Sequence, residues 1–189
     1  VSQYYYLVSS LPYLYFDGNA PLEEETFLGM AAARLSSRDM AILHATTLAA
    51  NPGQVPPTPV HRSWQHTDAG LRNELARLRA GALEMDPQSY VKRDGDGRDW
   101  SELWQVAETA LSAFNHDSPL RAEELLSAFR WSVLEQLEVG HFFDIERICL
   151  YYLKLQLLWR KDRFDREAGL KIFQDTYETI LNDFYNTED

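Results

Sequence analysis

The stretch from Gly140 to Leu158, GHFFDIERICLYYLKLQLL, constrains this chain more than any other. Its apolar residues fall on more than one face of the helix it would form. Ile145, Ile148, Tyr152 and Leu155 share one face, and Leu150, Leu153, Leu157 and Leu158 lie on others. A helix apolar nearly all round must be surrounded by other elements, so it is expected at the centre of a bundle. Burying each large apolar side chain is worth roughly 1.5–3 kcal/mol, and packing alone accounts for most of this composition. Glu146, Arg147 and Lys154 must then lie near an edge or be paired. With Gln156 they also make the stretch too short and too polar to span a bilayer, which takes about 20 predominantly apolar residues.

The flanking sequence supplies the rest of a helical fold. Residues 4–16 hold Tyr4, Tyr5, Tyr6, Leu7, Val8 and Pro12, a β-prone run expected as an extended N-terminal segment or a single strand. DGNAP at 17–21 reads as a turn feeding a helix, with Pro21 at the first helical position and Glu23 to Glu25 at the positive end of its dipole. In SSRD at 36–39, Ser36 can cap and Asp39 completes a capping-box pattern. Residues 51–59 contain four prolines and a glycine and read as a loop. Beyond it, Leu71, Leu75, Leu78 and Ala82 share a helical face, with Arg72, Arg77 and Arg79 off it. DGDGRD at 94–99 is a polar loop, from which Asp99 and Glu102 begin another helix start. Trp100, Leu103, Trp104, Ala107, Leu111 and Phe114 form the stripe of that helix. Ser118-Pro119 opens the next, with Leu125, Phe129, Val133 and Leu137 in near-helical register and Gly140 as its stop. A final helix places Leu170, Phe173, Tyr177, Leu181 and Phe184 on one face. The expected fold class is all-α, a multi-helix bundle with a short extended N-terminal segment. Residues 1–189 read as a single helical domain, with 1–88 and 99–189 as candidate sub-bundles joined by the polar loop.

Chemistry-bearing patterns are sparse. Glu138-x-x-His141 has the spacing used in carboxylate-bridged di-iron bundles, where two such motifs and two further glutamates face one another. Here it occurs once, with Gly140 inside it, and His44, His61, His66 and His116 lack a glutamate three residues before them. His61 and His66, assigned to the proline-rich loop, have no cysteine nearby to complete a zinc site. DGDGRDWSELWQ begins like a calcium loop with Asp94 and Asp96. It then puts Arg98 at the fifth position, Asp99 where glycine is needed and Gln105 where glutamate is needed. No nucleophile elbow and no glycine-rich phosphate loop occurs. Cys149, alone in an apolar helix, reads as a buried, inert thiol. No catalytic residue, metal ligand or cofactor is therefore expected.

The charge balance narrows the partners. With 29 acidic against 18 basic side chains the net charge is −11. Nucleic acids and anionic membranes reward Lys and Arg instead, so neither is an expected partner. The single cysteine makes an intracellular setting the default. The opening residues lack the basic region and unbroken apolar core of a signal peptide, and a soluble protein is expected. The acid excess is concentrated in the C-terminal half. There Asp175, Glu178 and Asp183 flank the apolar stripe, with Tyr177 and Phe184 as aromatic anchors, a candidate protein interface for a basic surface. A merely solvated face is the alternative.

Three blocks carry a family resemblance: SQYYYLVSSLPYLYFD, FLGMAAARLSSRDMAIL and RWSVLEQLEVGHFFDIERICLYYLKLQLLWR. They resemble an uncharacterised bacterial family whose genes lie in V-type ATP synthase clusters. The first and last are also distantly similar to the C subunit of V/A-type ATPases, the helical piece that joins the central shaft to the membrane ring. In that family a Tyr-rich helix leads to a Leu-Ser-x-x-Asp helix start, and a later helix packs centrally; LSSRD and FDIERICLYYLK echo both. Ile145-Glu146 departs from that family's pattern, as does the lack of an arginine near its end. The resemblance implies a non-catalytic interaction subunit or accessory protein of a bacterial V-type ATPase, in its sharpest form an adaptor like the C subunit. Its partners would be stalk or membrane-ring subunits, and its location cytoplasmic and peripheral to the membrane, without insertion. It also implies that Asp144 orients a helix start or an ion pair. Two alternatives stand beside it: an enzyme with a cryptic site near Glu138, His141 and Asp144, and a free-standing helical protein.

Overall fold

The computed structural model describes residues 2–48, 56–91 and 104–163. Among these the fold is all-α: seven α-helices and one short 3-10 turn, with no strand. The helices are α1 (Ser2–Ser10), α2 (Glu24–Ala32), α3 (Ser37–Ala45), α4 (Pro59–Ala82), α5 (Trp104–Phe114), α6 (Pro119–Leu137) and α7 (Ile145–Asp162).

Helix α7 is the spine. Ile148, Leu150, Leu153, Leu155 and Leu158 are fully buried, and α7 packs against α1, α3, α4 and α6. Phe27 of α2 stacks on both Tyr151 and Tyr152, with ring centroids 5.7 and 5.2 Å away. The polar atoms of α7 hold the irregular chain between α1 and α2. Tyr151 Oη donates to the Pro12 carbonyl at 2.8 Å, Trp159 Nε1 to Leu22 at 2.8 Å, and Lys161 Nζ to Phe16. Asp162 accepts from the Ala20 amide at 3.1 Å. Gln156 does the same for the chain after α3, donating to the Thr46 carbonyl and accepting from the Leu48 amide, each at 3.0 Å. Backbone groups without a helical partner are thereby satisfied by one central element.

Several local expectations are corrected. The Tyr-rich run forms helix α1 over Ser2–Ser10, and only the segment from 11 to 23 lacks regular structure. Docking on α7, with Leu7 fully buried, outweighs the β-preference of the tyrosines. Helix α2 starts at Glu24 rather than at Pro21, with Glu24 and Glu25 in its first turn. Helix α4 starts at Pro59, inside the expected proline-rich loop, because the Thr58 hydroxyl accepts from the His61 amide and Pro59 needs no amide partner at the first turn. His61 and His66 therefore sit on a helix. The start at Asp99 and Glu102 lies outside the described residues.

Two hydrophobic clusters make the core. One gathers α1, α2, α3, the start of α4, the C-terminal half of α6 and α7, with Trp64 and Trp131 among its members. The other joins Leu71 and Leu75 of α4 to Val106, Ala110 and Ala113 of α5 and Leu126 of α6. Each cluster takes side chains from both 1–88 and 99–189, and α4 runs through both. Where they adjoin, Asp68 of α4 is buried between Arg72 (2.7 Å) and Arg130 of α6 (2.9 Å). Arg130 also faces Glu123 at 3.6 Å, which in turn binds Arg160 of α7 at 2.6 Å.

The buried faces of α5 and α6 differ from the expected stripes. On α5 the small residues Val106, Ala110 and Ala113 face the core, leaving Leu111 and Phe114 exposed. Small side chains let α5 approach α4 closely, and interaxial distance follows side-chain size. On α6 the buried positions are Leu126, Ser127, Arg130, Trp131 and Leu134, and Leu125 is exposed. That helix meets α4, α5 and α7 together, and the Asp68–Arg130 pair fixes its rotation.

Candidate functional site

Helices α6 and α7 meet at a reversal on which polar and aromatic side chains converge. Helix α6 ends at Leu137 with Glu138 as its cap, and Gly140, two residues beyond the cap, has φ +92°, a backbone region glycine enters without strain. Asp144 then starts α7: its Oδ1 accepts from the Arg147 amide at 2.8 Å and its Oδ2 lies 2.7 Å from His141 Nδ1. One carboxylate thus both caps the helix and orients the imidazole.

Glu138 turns to a different set of partners. Its Oε2 receives Arg147 Nη1 at 2.7 Å and Lys154 Nζ at 2.9 Å. The Lys154 ammonium also lies 5.0 Å from the centre of the Trp131 ring, whose Nε1 donates to Glu135 at 2.8 Å. Lys154 is buried, a position that a charged side chain occupies only when paired. The residues of the alternative enzymatic reading are consequently split into two groups, Glu138 with Arg147 and Lys154, and His141 with Asp144. Among the described residues no group of three or more His, Cys, Asp or Glu side chains could hold a metal ion.

The other titratable groups of interest are interior ones. Cys149 is buried, receives a hydrogen bond from Thr46 Oγ1 at 3.4 Å, and has its thiol pushed up to about 12 by burial. A thiol so shifted stays protonated and is a poor nucleophile. Burial likewise lowers the His61 pKa. Its Nε2 lies 3.0 Å from the Thr47 carbonyl, while its Nδ1 has no hydrogen-bond partner among the described residues. Burial and the bonds to Asp39 and Glu24 respectively raise the phenols of Tyr4 and Tyr152.

Around the reversal the surface is aromatic. Tyr5, Tyr6, Val139, Phe142 and Phe143 are all exposed, Phe142 by 70% and Val139 by 82%. The Tyr5 ring lies 4.9 Å from Phe143 and 5.8 Å from Tyr6, so α1 and the reversal present one cluster. Such grouped apolar exposure marks an interaction surface more often than a solvated one. Reading the sequence for buried stripes missed this cluster. Its signal was the pair of consecutive aromatic runs, Tyr4–Tyr6 and Phe142–Phe143, in which neighbouring rings cannot all face one core. The expected interface residues Asp175, Tyr177, Glu178, Asp183 and Phe184 lie outside the described residues.

No helix among the described residues is long and apolar enough to cross a membrane. A family model described as a protein of unknown function (DUF2764) matches residues 60–183. No curated protein and no solved structure matches the chain.

Proposed function

Because the chain belongs to the DUF2764 family, described only as of unknown function, its role has to be argued from its own surface, and we propose that it is a non-catalytic interaction subunit or accessory protein of a V-type ATPase. In this reading it serves, like the C subunit of those machines, as an adaptor between central stalk and membrane ring, peripheral to the membrane on its cytoplasmic side. One observation carries the reading: the first and last of the sequence blocks that resemble the ATPase-associated family meet in space, with Tyr5 of α1 against Phe143 of the reversal before α7. The side chains they leave exposed, Tyr5, Tyr6, Phe142 and Phe143, are of the type that anchors protein interfaces. Helices clamped to a central spine suit a rigid adaptor. The acidic stretch holding Asp175, Glu178 and Asp183, with Tyr177 and Phe184, would steer the approach to a basic partner surface.

The test is co-purification of the tagged protein with ATPase subunits from its own organism. Wild type should capture stalk or membrane-ring subunits, and the double variant Tyr6→Ser, Phe142→Ser should lose them while remaining folded. Absence of ATPase subunits from the wild-type capture sinks the proposal. Charge reversal at Asp175, Glu178 and Asp183 should slow association at low salt, because screening shortens the field to about 8 Å at physiological ionic strength.

A further inference from the structure

A cavity of about 190 Å³ opens between the segment from Val8 to Leu14 and the facing sides of α6 and α7. Val8, Leu11 and Leu14 give it an aliphatic wall, and Arg147 and Lys154 line it from α7. Both cations converge on a single oxygen, Glu138 Oε2. Among the described residues neither side chain has a second hydrogen-bond partner. An ammonium offers three N–H donors and a guanidinium five. The Trp131 ring occupies one side of the ammonium, and unspent donors of both groups remain for the cavity. The lining therefore carries two cations, Arg147 and Lys154, and two carboxylates, Glu138 and Glu135. Glu135 is exposed, so water screens its charge, and it already accepts from Trp131 Nε1.

We propose that this cavity binds a small monocarboxylate. The carboxylate takes the spare donors of Arg147 and Lys154, a planar acceptor matched to a guanidinium fork, and a short aliphatic tail lies against Val8, Leu11 and Leu14. The inference does not rest on association with an ATPase: capture of subunits and occupation of this cavity are read by separate experiments and can fail separately.

The probe is butyrate, with butyramide as its uncharged counterpart, titrated into the full chain at constant ionic strength and followed by NMR. Butyrate should shift the methyl signals of Val8, Leu11 and Leu14 saturably, and butyramide should not. Arg147→Gln should weaken binding by roughly tenfold or more, the loss of a hydrogen bond between charged groups. Leu11→Trp, which keeps every charge and fills the cavity, should abolish binding, and it decides the matter if Arg147→Gln fails to fold. Glu135→Gln should tighten binding slightly. Equal shifts with the acid and the amide, or unchanged butyrate binding in Leu11→Trp, would overturn the site. Saturation by a peptide with a free C-terminal carboxylate, at concentrations where butyrate causes no shift, would overturn the small-acid assignment in favour of a protein terminus.

Discussion

At the scale of the residue, His61 and Asp144 make opposite demands. His61 is buried in the neutral form, with Thr47, Gln65 and the nearby charge of Glu146 as its polar surroundings. Its folded-state pKa is lowered by burial, so below the ordinary histidine value of about 6.5 the unfolded chain binds more protons than the folded one. Stability is then complete above that value and falls as the pH drops through it. Urea midpoints measured from pH 7.5 down to 5.5 should decline, and His61→Gln should flatten that decline. Asp144 stabilises through its cap, its Oδ1 accepting from the Arg147 amide. Asp144→Ala should cost about 1 kcal/mol, the usual value of a helix cap, whereas Asp144→Asn should keep most of it. Equal losses in the two variants would show that the pair with His141, rather than the cap, carries the stabilisation.

At the scale of the element, α5 shows how little a helical wheel settles when a short helix has two apolar faces. Its larger side chains, Leu111 and Phe114, point outward, and Ala110 and Ala113 point in. Ala110→Leu should therefore overpack the contact with α4 and cost about 1–3 kcal/mol. Leu111→Ser should stay within about 0.5 kcal/mol, as surface changes generally do. Chemical denaturation of the two variants would reverse this order if the expected stripe were the buried one. On α7 no such ambiguity arises, because nearly every face is apolar and nearly every face is covered.

At the scale of the whole molecule, two hydrophobic clusters are joined across a buried charge network. Asp68 lies on α4 between Trp64 of one cluster and Leu71 of the other, and it holds Arg130 of α6. Asp68→Ala removes the closest partner of a buried guanidinium and should cost about 3–5 kcal/mol, the penalty of leaving a charge uncompensated. Replacing Asp68 and Arg130 together by apolar residues should cost much less, so a double-mutant cycle measured by denaturation separates pairing from packing. If the double replacement is as damaging as Asp68→Ala, the site is held by packing and not by the pair.

The sequence alone determined what is written within a few residues. The caps at Ser36 and Ser118 and the enclosure of α7 followed from local hydrogen-bonding chemistry and helical period, while α6 stops at Leu137, before the Gly140 the sequence pointed to. The all-α class followed from them. The T-P start of α4 was equally local but was hidden by the prolines around it. Tertiary structure decided which apolar face of α5 and α6 was buried, because that choice belongs to the neighbouring helices. It also turned the Tyr-rich opening into a helix against α7, and divided Glu138, His141 and Asp144 between two separate sets of partners. The aromatic cluster and the cavity beside Arg147 and Lys154 needed α1 and its following segment laid on α6 and α7. A contact between segments so far apart in the chain leaves no periodic or capping signal, since it depends on how whole elements pack rather than on what each residue prefers.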